Sequence, residues 1–262
     1  KIFILLRSNT SHDFSLYKPS TIIRRIDRRM AVNQIDAIDD YVLYLRQTPN
    51  EVEALFRDLL IGVTSFFRDP EAFEILEDQV IPKLFKGKPA GSSIRIWTPG
   101  CSTGEEAYSI AILLMEHVEA LRQNYSVQVF ATDIDSHAIA TARSGIYPAS
   151  MAANISPDRL ARFFTTEEDG RVCRIHKSIR NLLIFSEHDL IKDPPFSKLD
   201  LISCRNLLIY MGPELQKNLI RLFHYALEPN GILFLGTSES IGDFDNLFAL
   251  YDRKSKLFQR KE

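Results

Sequence analysis

Between residues 96 and 114 the sequence reads IWTPGCSTGEEAYSIAILL: an apolar segment, a turn framed by Gly100 and Gly104, then Glu105 and Glu106 opening a helical pattern. Glycine turns that lead into a helix commonly hold phosphate on free backbone N–H groups. A carboxylate pair at that position repels a phosphate and suits a cation or a pair of hydroxyls. Two further acids stand where apolar segments end. Asp133 closes VFATD about 30 residues on, the kind of position where nucleotide folds keep the acid that binds ribose hydroxyls. Asp189 closes NLLIFSEHD.

The elements that must position these residues follow from the hydrophobic pattern. Residues 1–85 read as an N-terminal helical domain: Ile22, Ile26 and Met30 recur at four-residue spacing, and Tyr41, Leu45, Val52, Leu55, Phe56 and Leu59 continue it across a break at Pro49. A third helix is expected from DPEAFEILEDQVIPKLF, with Pro70 near its start, where its missing N–H costs least. KGKPAGSS, 86–93, reads as a linker. From 94 to 262 strand and helix alternate: SIRIWTP, VQVFATD, NLLIFSEHD, LDLISCR and GILFLGTS as buried strands, EEAYSIAILLMEHVEAL, SHAIATARSG and PELQKNLIRLFHYAL as helices. That order predicts an α/β fold with a Rossmann-like, mainly parallel sheet. The final FALYDRKSKLFQRK would add a hairpin and one antiparallel strand. Residues 147–181 interrupt the alternation and, with a hairpin around Asp169 and Gly170, read as an inserted small β-subdomain.

In such a sheet ligands sit beyond the carboxyl ends of the strands, at the point where strand order reverses. Acids at three strand ends, with no phosphate-binding lysine, fit a nucleoside that carries positive charge. S-adenosylmethionine has a ribose, an adenine, an ammonium and a sulfonium, and no phosphate. The alternative reading is structural: Glu105 and Glu106 complement a helix dipole and Asp133 caps a helix.

A net charge of −2 gives no global drive towards nucleic acid or an anionic membrane. No apolar run reaches the roughly 20 residues of a spanning helix, so no membrane insertion is expected. The start, KIFILLRSN, is too short for a signal peptide and lacks an initiator Met, which suggests a segment of a longer chain. Cys101, Cys173 and Cys204 are odd in number and far apart, and the six histidines show no ligand spacing. A cytoplasmic setting and no metal are the expectation.

The motifs VTSFFRDPEAF (63–73), GCSTGEEAYSIA (100–111), TDID (132–135), SCRNLLIYM (203–211) and GTSES (236–240) resemble those of the chemotaxis receptor methyltransferases, the CheR family. The likeness runs nearly end to end. Its wording is most similar to hybrid chains that join a methylesterase, a methyltransferase and sensory modules. The resemblance implies an enzyme that moves a methyl group from S-adenosylmethionine to receptor glutamates, leaving S-adenosylhomocysteine. It places cofactor contacts at Thr64, Arg68, the Gly100 turn, Glu105 or Glu106 (with Glu106 favoured), Asp133, Asp189, Leu190, Cys204 and Arg205, and the catalytic pair at Arg68 and Tyr210. It implies the cytoplasmic helices of a chemoreceptor as partner; the basic stripe of Arg24, Arg25, Arg28 and Arg29 reads either as a solvated helix face or as a docking surface for such an acidic partner. Members that tether to a receptor-tail pentapeptide carry a longer turn in the subdomain than TTEEDGRV, so no tether is expected here. The sequence departs from the family at Gly62, where an Asn is common. That departure keeps a second reading open, a non-catalytic domain sensing S-adenosylmethionine or S-adenosylhomocysteine.

Overall fold

A computed structural model describes residues 1–262, the side chain of Glu168 excepted. The chain forms two compact units, one of residues 1–61 with 208–219, the other of 62–207 with 220–262.

The first unit is helical: α1 (Ile2–Thr10), α2 (Pro19–Val32), α3 (Ile38–Gln47) and α4 (Pro49–Leu59). Pro19 and Pro49 stand at helix starts, where a missing N–H is harmless. Ile22, Ile26, Met30, Tyr41, Leu45, Val52, Leu55 and Leu59 are buried together with Leu6 and Phe14, as their spacing predicts. One anticipated surface charge is internal. Arg29 makes a two-pronged pair with Glu51, at 2.9 and 2.6 Å, and Glu51 also accepts from the Tyr41 hydroxyl at 2.8 Å. The basic stripe is therefore Arg24, Arg25 and Arg28, without Arg29. The unit is completed from far along the chain: Lys18 N donates to the Tyr210 carbonyl at 2.9 Å, and Gly212 N to the Leu16 carbonyl at 2.8 Å.

The second unit begins at Gly62, not after residue 85. α5 (Pro70–Ile75), a π-helical turn (Leu76–Val80) and α6 (Ile81–Phe85) bury Phe73, Leu76, Val80, Ile81 and Leu84 in the same core as the sheet. That apolar face decides their allegiance, and 86–93 is a connection inside the unit. Its remaining elements are β1 (Ser93–Pro99), α7 (Glu105–Leu121), β2 (Ser126–Asp133), α8 (Ser136–Ser144), β3 (Ile146–Pro148), α9 (Pro157–Phe163), β4 (Phe164–Glu167), β5 (Val172–Ile175) and α10 (Lys177–Arg180). They continue with β6 (Leu183–Glu187), β7 (Leu199–Cys204), α11 (Pro213–Ala226, its first half in the helical unit), β8 (Leu227–Leu235), β9 (Phe248–Asp252) and β10 (Leu257–Arg260). The large sheet has seven strands in the order β6-β2-β1-β7-β8-β10-β9, parallel except for β10, which runs antiparallel to both its neighbours. The insertion forms its own antiparallel sheet, β3-β5-β4, with the hairpin turning at 168–170. Strand order reverses between β1 and β7, and the acids noted in the sequence lie at that end of the sheet.

Candidate active site

The turn after β1 is built so that only glycine fits at its two ends. Gly100 has φ +66, and a Cβ there would lie 2.8 Å from a Leu207 methyl. Gly104 has φ +97, and its Cβ would lie 2.9 Å from the Ala142 Cβ and 3.2 Å from the Phe185 ring. Three of the turn's backbone N–H groups are already engaged. Cys101 N donates to the Thr132 carbonyl at 2.9 Å, Gly104 N to the Cys101 carbonyl at 2.9 Å, and Ser102 N to Asp133 Oδ2 at 2.7 Å. A phosphate cradle needs those groups free. Here one of them is spent on a carboxylate, which physically disfavours a phosphate ligand.

Asp133 closes β2 and does not cap a helix. Asp135 does that, accepting from His137 N and Ala138 N, while Asp133 Oδ1 accepts from Asp135 N at 2.9 Å. Burial pushes the Asp133 pKa up, against the pull of these backbone donors. Beside it, His188 N donates to the Asp133 carbonyl at 2.9 Å and brings the end of β6 alongside. Asp189 there shapes a turn: its Oδ1 accepts from Ile191 N at 2.9 Å and its N–H donates to Asp193. Leu190, half-buried, lies in the same turn.

The two glutamates are distinguished by their neighbours. Glu105 is fully buried, holds the Thr103 hydroxyl at 2.7 and 2.9 Å, and lies beside Tyr147 of β3. Glu106 accepts from Ser203 Oγ of β7 at 2.7 Å and from Arg205 Nη1 at 3.4 Å, on the side of the strand reversal. Burial raises both carboxyl pKa values. For Glu106 the charges of Arg205 and Arg68 and the Ser203 hydrogen bond oppose that rise, and Glu239 adds to it.

Arg205 follows β7 directly, and its side chain is 0% exposed. Its guanidinium lies 4.5 Å from the Phe234 ring centre and 5.3 Å from that of Phe73. Nη2 donates to Asp69 Oδ2 at 2.7 Å, and Nη1 to the Arg68 carbonyl at 3.1 Å. Glu239 Oε2 ties the neighbouring loops, accepting from Gly236 N at 2.6 Å and Asn206 N at 2.9 Å.

The segment before α5 carries Thr64 and brings Arg68 to this charge cluster. Arg68 Nη1 donates to the Val63 carbonyl at 2.9 Å. Among the described residues the Thr64 hydroxyl has no hydrogen-bond partner. Phe67 and Asp69, on either side of Arg68, have φ of 48 and 59, a left-handed conformation that costs a non-glycine residue about 1–3 kcal/mol. Gly62 is accommodated too. Its carbonyl accepts from Ser102 Oγ at 3.2 Å, and a Cβ at 62 would lie 2.9 Å from that same oxygen. Tyr210, in a short 3-10 turn (Leu208–Tyr210), belongs to the helical unit and is half-buried there.

Ser203, Asp69 and Glu239 were given no role by sequence reasoning. All three lie within the family-like motifs, Asp69 in VTSFFRDPEAF, Ser203 in SCRNLLIYM and Glu239 in GTSES, which is the only signal the sequence holds for them. Cys101, Cys173 and Cys204 are buried with thiol pKa values pushed up by burial, and at Cys101 and Cys204 by nearby carboxylates as well, so none is a ready nucleophile. No helix among the described residues is long and apolar enough to cross a membrane.

Around the strand reversal stand Asp69, Glu106, Asp133 and Glu239, against Arg68 and Arg205. That excess of acid, with a glycine turn that spends a backbone N–H on the Asp133 carboxylate, suits a cationic nucleoside. Residues 62–257 match the model of the CheR methyltransferase SAM binding domain, and residues 1–60 that of the CheR methyltransferase all-alpha domain. An uncharacterized 104.1 kDa protein of Rhodobacter capsulatus is 39% identical over 259 residues, 99% of this chain but 27% of that protein. Chemotaxis protein methyltransferase 2 of Vibrio cholerae is 33% identical, covering 86% of this chain and 79% of its own. The chemotaxis protein methyltransferase of Salmonella typhimurium is 32% identical, covering 89% and 80%. With S-adenosylmethionine as the ligand that both the site and the matched domain call for, the chain belongs to the CheR methyltransferase family.

Proposed function

We propose that the chain transfers the methyl group of S-adenosylmethionine to glutamate carboxylates of a chemoreceptor-like protein, forming methyl esters. The observation that carries this reading is the pairing of an acid-lined strand reversal, refused to phosphate, with an arginine on a strained turn beside it. The names of the Vibrio and Salmonella relatives support the chemotaxis setting.

In this reading Asp133 takes the ribose hydroxyls and Glu106 the ammonium. Thr64, the Gly100 turn, Asp189, Leu190 and the main chain at Cys204 complete the cofactor site, and Glu105 keeps the start of α7 in place. S-adenosylmethionine supplies a methyl group already activated on a sulfonium. A substrate glutamate, with an ordinary pKa near 4.3, is an anion at neutral pH, so the chain needs no general base. Its work is to bring two opposite charges together and strip them of water. Arg68 suits the incoming carboxylate, because a planar fork can bind one oxygen and leave the other free. The resemblance gives Tyr210 the second catalytic role. The helix face with Arg24, Arg25 and Arg28 meets acidic receptor helices, and the short turn of the β3-β5-β4 sheet serves no receptor-tail tether.

The test is transfer of labelled methyl from S-adenosylmethionine to receptor-containing membranes. Label released by mild base and absent with Arg68→Ala, whose cofactor affinity falls less, is the expected result. Tight cofactor binding by the full-length protein with no transfer to any fraction would overturn it in favour of a cofactor sensor. The names of the chemotaxis methyltransferase relatives support the catalytic reading over that second one.

A further inference from the structure

Arg68 sits between two left-handed residues, Phe67 and Asp69, and such a turn persists only where its surroundings hold it. Two clamps do so, both from distant parts of the chain. Ser109 Oγ of α7 accepts from Phe67 N at 3.0 Å and itself donates to the Glu105 carbonyl at 2.7 Å. Arg205 takes the other side, with one prong on the Arg68 carbonyl and one on Asp69 Oδ2. Its Nη1 also reaches Glu106, while Phe73 and Phe234 fix the plane of the guanidinium. Both terminal nitrogens of the fork are thus occupied by protein acceptors, while Nε is buried without one.

We propose that Arg205 is a positioning residue for methyl transfer: it clamps the strained Phe67–Asp69 turn and thereby sets where the Arg68 guanidinium stands. This rests on the proposed function for the meaning of turnover, but the clamp itself can be read without turnover. A lysine keeps the charge that compensates Glu106 but cannot span two acceptors in one plane. Asp69→Asn weakens one prong from the other side, and Ser109→Ala releases the opposite end of the turn.

The experiment compares Arg205→Lys, Asp69→Asn, Ser109→Ala and the Arg205→Lys/Asp69→Asn double variant in the full-length protein. Three quantities are read: kcat, calorimetric affinity for S-adenosylhomocysteine, and hydrogen exchange at the Phe67 amide. Misplacing a reacting group by about 1 Å can cost on the order of 10²-fold in rate, and Arg205→Lys is expected to lower kcat on that scale with cofactor affinity near wild type. Asp69→Asn and Ser109→Ala lower kcat in the same sense. The double variant falls little below Arg205→Lys alone, because both remove one clamp. The Phe67 amide exchanges faster in each.

A parallel loss of cofactor affinity and kcat in Arg205→Lys, with Asp69→Asn neutral, would make Arg205 a ligand and overturn the proposal. Lowered melting temperature with unchanged kcat and Phe67 protection would overturn it as well. Should Arg205→Lys fail to fold, Asp69→Asn and Ser109→Ala carry the test between them. Wild-type protein that transfers no methyl would count against the functional reading alone, since Phe67 exchange still reports the clamp.

Discussion

Glu106→Gln separates the electrostatic account of the site from a merely structural one. The carboxylate is 15% exposed, accepts from Ser203 at 2.7 Å and faces Arg205 at 3.4 Å. A glutamine can turn its amide oxygen to Arg205 and donate its NH₂ to Ser203 Oγ, so both neighbours stay paired. Relief of a buried charge offsets the lost ion pair, as often happens when such pairs are replaced. The melting temperature of the ligand-free protein should therefore change little. Cofactor binding should not be spared. A hydrogen bond to a charged group is worth about 1.5–3 kcal/mol, which is roughly a tenfold to 150-fold rise in Kd. Calorimetry with S-adenosylmethionine and S-adenosylhomocysteine locates the charge that Glu106 meets, because the product keeps the ammonium and loses the sulfonium. Equal losses for both ligands are expected.

The pH dependence follows with a definite sign. Burial raises the Glu106 pKa above its ordinary 4.5, so the free protein holds that proton to higher pH than an exposed carboxyl would. A cationic ligand needs the anion. Affinity should climb with pH through a window that begins above 4.5, then level off, and Glu106→Gln should flatten the climb. Unchanged affinity for both ligands, or a pH profile shared by wild type and variant, would refute the assignment.

Asp133→Asn leaves one acceptor oxygen where two backbone N–H groups now donate, so cofactor affinity should fall by about 1–3 kcal/mol in calorimetry. Gly104→Ala forces a left-handed alanine against Ala142 and Phe185, and should lower both the melting temperature and cofactor affinity, by about 1–3 kcal/mol of strain or more. Glu51→Gln breaks the Arg29 pair and should cost about 3 kcal/mol in denaturant unfolding, the low end for a broken buried pair, since Arg29 keeps Asp58 at 4.0 Å. Burial raises the Glu51 pKa, but the bonds from Arg29 and Tyr41 outweigh it and leave the pKa below its ordinary 4.5. The stability from that depressed pKa is therefore present above 4.5 and lost as pH falls below it; the variant should lack this acid-induced loss. Arg24→Glu with Arg25→Glu should raise the receptor KM with kcat little changed, and an unaltered KM would return that stripe to a solvated helix face.

Much of the molecule was determined by residue order alone, because periodicity and turn chemistry are local. The spacing of Ile22, Ile26 and Met30, the alternation of strand and helix from β1 onwards, and the hairpin at Asp169-Gly170 all report which face of an element is apolar and where the chain turns. The acids at the ends of β2 and β6, and the glycine pair around Cys101, were legible for the same reason. Local patterns do not say which partner an apolar face will meet. The helix at 70–85 looked like the last of the helical set, yet packing places it on the sheet. Residues 208–219 return to the helical unit through backbone bonds to Leu16 and Lys18, which no spacing announces. Charges behave likewise. Arg29 was one of four similar arginines until Glu51, 22 residues away, came within 2.6 Å of it. Glu105 and Glu106 are adjacent and identical in type, and only the closure of α7 against β7 and β3 gives Glu106 to Ser203 and Arg205 and sets Glu105 beside Tyr147. Arg205 meets Asp69 across 136 residues of chain. A burial pattern is written in each element, whereas a partner exists only once distant elements have closed on one another, and that was left to the tertiary structure.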